Sequence, residues 1–256
     1  MAKQIKEKSA LQVRDHQIVW EDGTEKLILY ADIMGFKERV MATEHEKLRK
    51  SLLDFKNKFK RKIRRLHVKE ECLRYVQFSD SVIIVVNGVD DKMLKIITKA
   101  AICLFHSAMS NGFPLKGVIS KGKFTFDREN ELYLGRPLVD AYMLHDEIYY
   151  YGIVVHHSLE SLVKEYSSLG LPYCKEKIPL KKGSTAHYHL SWQYFKGNLS
   201  TGDISTKADK WLSKIEETVS GPPRIYIDNT RNVIANDKFP QKKNHSKNMP
   251  TNESII

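Results

Sequence analysis

The segment Leu27-Ile-Leu-Tyr-Ala-Asp-Ile-Met-Gly-Phe36 decides the fold. Its first five residues are an apolar run with the composition of a short buried strand. The run brings a carboxylate, Asp32, to the end of that strand, and Gly35 follows in the turn. This pattern predicts one of two arrangements. Either Asp32 caps the start of a helix, or it holds a metal ion beside backbone N–H groups.

A second segment favours the metal interpretation. Leu73-Arg-Tyr-Val-Gln-Phe-Ser-Asp-Ser-Val-Ile-Ile-Val-Val86 has two β-rich runs around a polar tip, which predicts a hairpin with Asp80 in its turn. An Asp at such a tip is often only a turn residue. Here a long amphipathic helix separates Asp80 from Asp32, so a strand, a helix and a hairpin can bring both carboxylates to one edge of a sheet. Two carboxylates in that position repel each other unless they share divalent cations.

Hydrophobic periodicity predicts the remaining elements. Residues 44–66 form a helix whose apolar stripe is core or interface, and residues 90–110 form a second helix. The further expectations are a strand at 115–119, a hairpin or meander at 124–134, a helix at 137–148, a strand at 153–155, a helix at 158–166 capped by Ser158, two strands within 178–190, a helix at 200–220, and a late strand or ordered arm at 224–230. Residues 17–20 could add an edge strand or belong to a loose arm. The strand–helix–strand–strand–helix–strand order predicts an α+β, ferredoxin-like core.

Composition limits the protein class. The chain has 256 residues, 41% of them hydrophobic, which suits one core with additional elements rather than two full domains. No apolar run reaches the roughly 18 residues that span a bilayer, and the first residues lack the apolar region of a secretory signal. Cys72, Cys103 and Cys174 are far apart and odd in number. They are typical of reduced thiols in a cytoplasmic protein, not of a disulfide framework or a zinc site.

The net charge of +11 has two interpretations. Much of it lies in residues 43–70, as a solvated helix face or as a surface for a polyanion. A rival function is therefore a basic nucleic-acid-binding protein. It leaves Asp32 and Asp80 without a role, and the basic face of the helix lacks interleaved aromatic residues. A nucleic-acid partner is therefore not expected.

The two Asp motifs resemble those of the class III nucleotidyl cyclases. The family's first metal-binding Asp lies in an Asp-Ile-x-Gly-Phe motif, matched by residues 32–36, and its second lies at the tip of the following hairpin, matched by Asp80. Three later segments, residues 116–123, 135–146 and 178–183, resemble the family's glycine-bounded strand, its transition-state helix and its closing hairpin. The expected organisation is an N-terminal arm at 1–23, a cyclase catalytic domain at 24–195, a C-terminal helical extension at 196–236 and a disordered tail at 237–256.

The resemblance implies an activity and a set of site residues. A nucleoside triphosphate becomes a 3′,5′-cyclic monophosphate and pyrophosphate, with two Mg²⁺ or Mn²⁺ ions as cofactors. Asp32, Asp80 and the carbonyl of Ile33 are the expected metal ligands. The expected substrate-binding residues are Gly35, Phe36, Ser79, Lys123, Lys181 and Lys182. Each of these lysines could equally be an ordinary surface lysine. Because class III sites form between two subunits, the resemblance also implies a homodimer with shared active sites.

The chain departs from the family at four positions. Val139 and Met143 stand where the family has its transition-state Asn and Arg, and Val76 and Leu132 stand where it reads a purine. One alternative is that the enzyme accepts another base and stabilises the transition state with other catalytic groups, such as Arg136 or Tyr142. The other is that the protein is a degenerate cyclase fold that only binds a nucleotide.

We favour the first alternative. These departures resemble the bacterial pyrimidine cyclases of the Pycsar antiphage system, which implies cyclic UMP or cyclic CMP as product and a separate effector protein that responds to it. The pyrimidine edge could contact Tyr75, Gln77 or Tyr133. A purine cyclase for ATP or GTP is a remaining alternative. A diguanylate or polymerase-type cyclase is another, but the chain has no Gly-Gly-Asp-Glu-Phe-like run.

Overall fold

The computed structural model describes residues 20–192 and 204–237, except for the side chains of 204–207. Eight strands and seven α-helices make up this described part of the chain. The strands are β1 Thr24–Ile33, β2 Leu73–Phe78, β3 Ser81–Val86, β4 Leu115–Asp127, β5 Leu132–Leu134, β6 Ile153–Val155, β7 Tyr173–Leu180 and β8 Gly183–Leu190. The helices are α1 Phe36–Ala42, α2 His45–Arg64, α3 Asp91–Met109, α4 Arg136–Glu147, α5 His157–Glu165, α6 Ile204–Glu216 and α7 Pro222–Asn236.

Strand β1 lies at the centre of the sheet. It pairs antiparallel with β3 on one side and with β4 on the other, and the strand order is β2-β3-β1-β4-β6-β8-β7. The short strand β5 pairs with the far end of β4. The order β2-β3-β1-β4, with α2 and α3 as the connecting helices, confirms the ferredoxin-like α+β core. Strands β6, β8 and β7 widen the sheet beyond β4.

The two faces of β1 meet different environments because its side chains alternate. Leu27, Leu29, Ala31 and Ile33 are buried in the main core, together with apolar side chains from α2 and α3. The intervening residues face the other way. Ile28 joins a smaller buried cluster, and α4 packs against β1 and β4 on this second face. The alternation therefore places Asp32 on the α4 face of the sheet.

The structure confirms the helices, strands and hairpins that the sequence pattern predicts from residue 24 to residue 155, with one change of length. The third strand was expected at 115–119, but β4 continues to Asp127. The end of this strand alternates between buried and partly exposed residues, as a strand with one buried face does. The prediction considered only the continuous apolar run at 115–119 and therefore ended too early.

Two further predictions are wrong. Ser158 does not cap α5, because His156 precedes the helix and its Nδ1 accepts from Ser158 N, while Ser158 Oγ accepts from Lys121 N. Residues 224–230 form part of α7 and are neither a strand nor an arm. The buried positions of α7, Ile227, Thr230, Val233 and Ile234, recur every three or four residues, and this helical period extends past the window used for the prediction.

Several expectations fall on other parts of the chain. Residues 17–19 of the possible edge strand and residues 238–256 of the tail lie outside the described residues. The domain boundaries at 23, 195 and 236 stay predictions. Within the described ranges, no helix is long and apolar enough to cross a membrane.

Candidate active site

Asp32 is flanked on both sides within the sheet. Its Cα partner in β3 is Ser81, and its partner in β4 is Lys116. The Ser81 hydroxyl donates to Asp32 Oδ1 over 2.9 Å. Directly opposite residues of an antiparallel pair project on the same face. The carboxylate of Asp32 therefore has a hydroxyl donor on one side and an ammonium group on the other.

The backbone fixes Asp80 beside Asp32. Ile33 N donates to the carbonyl of Asp80 over 3.2 Å, so the tip of the β2–β3 hairpin is attached to the end of β1. Met34 N donates to the carbonyl of Pro114 over 2.8 Å, which attaches the same turn to the start of β4. The two predicted metal carboxylates therefore lie at one edge of the sheet, as the order of elements requires.

Gly35 makes the turn into α1. Its φ of 68° is left-handed, a conformation that glycine adopts at little steric cost. Gly35 is the N-cap of α1, and no side chain caps this helix. The capping interpretation of Asp32 is therefore wrong, because its carboxylate bonds Ser81 in the sheet and not the helix that starts at Phe36.

Electrostatics make the Asp32 carboxylate costly as an isolated anion. Burial raises the pKa of Asp32, and the nearby Asp80 raises it further. The hydrogen bond from Ser81 and the charge of Lys116 act in the opposite direction, and burial has the largest effect. A divalent cation at this point would neutralise both carboxylates. The oxygen donors of Asp32 and Asp80, with the nearby Ile33 carbonyl, are the hard ligands that Mg²⁺ and Mn²⁺ prefer, so these residues fit such ions.

Lys116 is a site residue that the sequence interpretation missed. Its side chain is buried, and Nζ donates to the carbonyl of Ile148 over 3.1 Å. Burial lowers the pKa of Lys116 to about 8, although Asp146 and Asp32 favour the charged form. The available signal was a lysine inside the otherwise apolar segment 113–119. Such a lysine is seldom buried without an anionic or carbonyl partner.

Aromatic side chains cover the Asp32 face. The hydroxyl oxygens of Tyr30 and Ser81 are 3.4 Å apart. The ring of Tyr30 packs edge-on against His145 at 5.1 Å and against Tyr142 at 5.8 Å, both from α4. Burial lowers the pKa of His145 to about 3, so His145 is neutral at physiological pH. Tyr142, a predicted catalytic residue, therefore lies on the same face as Asp32 within one chain.

The other predicted substrate residues are dispersed. Lys181 Nζ is 2.7 Å from Asp146 Oδ2, and Lys182 lies in the exposed β7–β8 turn. Lys123 is seven residues along β4 from Lys116, or roughly 23 Å at the rise of a strand. The Arg136 side chain is 85% exposed and pairs with Asp140 at 3.4 Å. One chain therefore does not bring Lys123 or Arg136 to the two carboxylates.

Residues at the hairpin tip and on α4 expose apolar surface. Ser79 has a left-handed φ of 54°, and the neighbouring Phe78 is 83% exposed. Val139, Tyr142 and Met143 are all more than half exposed and are spaced by three and four residues on α4. We call these three residues the α4 stripe. Contiguous exposed apolar surface is a feature of interaction sites, so the α4 stripe is a candidate for one.

A cavity of about 650 Å³ lies beside β2 at the open edge of the sheet. Tyr75, Val76, Gln77 and Tyr133 contribute to its wall. Five basic and two acidic side chains also line it: Lys56, Lys60, Arg64, Arg74, Arg128, Glu70 and Glu131. Leu132, the other purine-reading position, is 49% exposed. The cavity wall therefore combines aromatic side chains with a net positive charge.

Comparison with known proteins gives a likeness of fold. No protein-family model matches the chain, and no curated protein matches its sequence. Among solved structures, the guanylate cyclase domain of RhGC from Catenaria anguillulae, in complex with GTP, matches with a TM-score of 0.50 and 12% identity over 66% of this chain and 97% of that domain.

Two adenylyl cyclases give lower scores. CyaB from P. aeruginosa matches with a TM-score of 0.42 and 17% identity over 65% of this chain and 93% of its own. An adenylate cyclase from Trypanosoma brucei matches with a TM-score of 0.47 and 14% identity over 69% of this chain and 93% of its own. Of these three structures, the RhGC domain has the TM-score of 0.50. The expected class III cyclase fold is confirmed, and at such low identity the likeness concerns the fold only.

Proposed function

We propose that this protein is a nucleotide cyclase that converts UTP or CTP to the 3′,5′-cyclic monophosphate and pyrophosphate. One observation carries this proposal: Asp32 and Asp80 lie together at one edge of the sheet. The hydrogen bond from Ser81 to Asp32 and the backbone hydrogen bond from Ile33 N to the Asp80 carbonyl hold them there. The site lies in a fold similar to that of a guanylate cyclase domain.

The reaction needs a 3′-hydroxyl to lose its proton and attack the α-phosphorus while pyrophosphate leaves. Two Mg²⁺ or Mn²⁺ ions held by Asp32, Asp80 and the Ile33 carbonyl would supply activation of the hydroxyl and neutralisation of the triphosphate. The chain's own contribution is to hold the two carboxylates as charged ligands. Ser81 and Lys116 favour the charged form of Asp32 against the effect of burial. The resemblance assigns the terminal phosphates to backbone N–H groups near Gly35 and Phe36, with Ser79 at the hairpin tip.

A homodimer with shared sites accounts for the dispersed residues. Lys123 and Arg136 are remote from the carboxylates of their own chain, so a second chain would have to present them. The α4 stripe supports this, because it exposes apolar surface on the face of the sheet that carries Asp32. Lys181 and Lys182, in the loop next to Asp146, are the proposed phosphate contacts from the β7–β8 hairpin.

The choice of a pyrimidine rests on missing polar groups. Val76 and Leu132 have no donor or acceptor for a purine edge, and a buried polar edge left unpaired costs about 1–3 kcal/mol. Tyr75, Gln77 and Tyr133 at the cavity supply polar atoms beside Val76. A role as a second-messenger generator in antiphage defence, with a separate effector, extends this proposal and rests on the resemblance to the Pycsar cyclases.

The test is incubation of the purified protein with each of ATP, GTP, CTP and UTP in the presence of Mn²⁺, read by mass spectrometry. We expect a cyclic pyrimidine monophosphate and an equal amount of pyrophosphate. Cyclic AMP or cyclic GMP as the main product would reject the pyrimidine assignment and keep the cyclase. Nucleotide binding by calorimetry without any cyclic product would instead support the degenerate, non-catalytic alternative.

A further inference from the structure

A buried cluster of three side chains of metal-ligand type lies between the outer strands β7 and β8 and the end of α7, away from Asp32. Cys174 and His189 are directly opposite each other in β7 and β8, and Asp237 follows the end of α7. All three side chains are buried, and one ligand atom from each lies within 4.8 Å of the others. Cys174 Sγ is 3.1 Å from His189 Nε2 and 3.1 Å from Asp237 Oδ1.

We propose that Cys174, His189 and Asp237 form a zinc site that fastens the C-terminal helix to the edge of the sheet. Sulfur, imidazole nitrogen and carboxylate oxygen are the donors that zinc takes in proteins. Bonds of about 2.3 Å to sulfur and about 2.0–2.1 Å to nitrogen or oxygen place tetrahedral ligand atoms about 3.5 Å apart. The two separations of 3.1 Å from Cys174 Sγ need to open by only a few tenths of an ångström.

Charge balance supports a divalent ion here. A thiolate and a carboxylate carry two negative charges, and a neutral imidazole adds none, so Zn²⁺ makes the set neutral. Neutrality matters because an uncompensated charge at this depth is expensive. The Asp237 carboxylate is also oriented by donors outside the triad. Its Oδ2 accepts from Ser191 Oγ at 2.9 Å and from Trp192 N at 2.6 Å, which leaves Oδ1 directed at Cys174.

Tyr150 provides a second, independent observation. Its side chain is fully buried, and its hydroxyl has no hydrogen-bond partner among the described residues. The ring lies 6.2 Å from the ring of His189. A water molecule held by this hydroxyl would complete the four-coordinate set and satisfy the otherwise orphaned group.

Hydrogen bonds attach the C-terminal helix to the segment after α4. Asn229 Nδ2 donates to the Tyr149 carbonyl over 2.7 Å, and Thr230 Oγ1 accepts from Tyr151 N over 2.9 Å. Helix α7 therefore supports residues 149–151, and Asp237 lies at its C-terminal end. A metal at the cluster would hold this end of α7 against β7 and β8, so its removal should loosen the helix.

The experiment measures metal directly. The protein is purified without added metal, treated with zinc, desalted and analysed by mass spectrometry for zinc per chain. We expect about one zinc per chain in the wild type and in C103S, a cysteine control outside the cluster, and loss in C174S and D237N. Retention in D32N/D80N separates this site from the proposed catalytic ions, so failure here leaves the proposed cyclase unaffected.

Cobalt gives a readout that does not depend on how the variants fold. Wild-type protein loaded with Co²⁺ should show a thiolate-to-cobalt charge-transfer band that zinc abolishes, and chelation of the zinc protein should lower its melting temperature. A cobalt spectrum without the thiolate band, or equal zinc in wild type and folded C174S, would show that the cluster is only a hydrogen-bonded network.

Discussion

Lys116 lies directly opposite Asp32 in the central strand pair. Burial raises the pKa of Asp32 and lowers the pKa of Lys116, so it favours the neutral form of both groups. Each of the two charges favours the charged form of the other group. Lys116 Nζ also donates to the carbonyl of Ile148, which fixes its position. A cation fixed in this position balances one of the two carboxylates before any substrate arrives. We infer that Lys116 helps to keep the Asp32 carboxylate in its charged form.

The lowered pKa of Lys116 predicts a pH dependence of stability. Its pKa falls from 10.5 to about 8 on folding, so the unfolded chain binds more protons between these values. The free energy of unfolding should therefore rise with pH, by about 2 kcal/mol between about pH 7 and about pH 9.5. Urea titrations should show this rise in the wild type and its absence in Lys116→Met. Lys47→Met, at an exposed position on α2, serves as the control and should keep the wild-type slope. A parallel pH profile for Lys116→Met would contradict the assignment.

The α4 stripe predicts the oligomeric state. A charge at Met143 would have to be desolvated in an interface, so Met143→Asp should shift sedimentation velocity from dimer to monomer and reduce cyclase activity at least tenfold. Ile225→Asp, at an exposed apolar position on α7, should leave both unchanged. A wild-type protein that sediments as a fully active monomer would be incompatible with shared sites.

Mixing two inactive variants tests the sharing itself. Asp32→Ala and Arg136→Ala damage residues that lie apart in one chain. Every mixed dimer would therefore contain one intact site, and half of the dimers would be mixed. Equal amounts should recover about a quarter of the wild-type activity after subunit exchange, if the dimer is symmetric. Each variant mixed with itself is the control. No recovery, with exchange confirmed by tagged subunits, would place both residues in the same chain's site.

The cavity beside β2 predicts the substrate preference. We expect UTP or CTP to be cyclised at least tenfold faster than ATP or GTP, which is about 1.4 kcal/mol of transition-state binding. Gln77→Leu should lower kcat/KM for the preferred pyrimidine by about tenfold or more, because one polar contact is lost. Asn57→Leu, exposed on α2, is the matched control. Equal loss for purines and pyrimidines in Gln77→Leu would show that this side chain does not read the base.

Much of the core could be predicted because its signals are local. The strand at Leu27 and the hairpin around Asp80 follow from alternation and turn residues, and α2 and α3 follow from apolar stripes at helical spacing. The error at residues 224–230 has a different cause, because tertiary contacts override the local preference. Its β-branched and aromatic residues suit a strand, but the contacts of Ile227 and Thr230 with the rest of the protein decide in favour of a helix.

Only part of the candidate site could be predicted from the sequence. Asp32 and Asp80 carry a motif, so they could be identified without coordinates. Lys116 and Ser81 act through sheet register, and the register of β1 against β3 and β4 appears only once the strands are paired. The Cys174 cluster was missed for the same reason, because its three members are far apart in sequence and only pairing of β7 with β8 and the position of α7 bring them together.

The measurement that tests the central claim most directly compares the wild type with Asp32→Asn and Asp80→Asn. Each protein is incubated with its preferred triphosphate and Mn²⁺, and cyclic nucleotide and pyrophosphate are quantified together. We predict loss of both products in either variant, with unchanged circular dichroism and, for Asp32→Asn, equal or greater stability, because a buried charge is removed. Asp91→Asn, at the start of α3, should behave as the wild type. Cyclic nucleotide formed at the wild-type rate by either folded variant would contradict the two-carboxylate site.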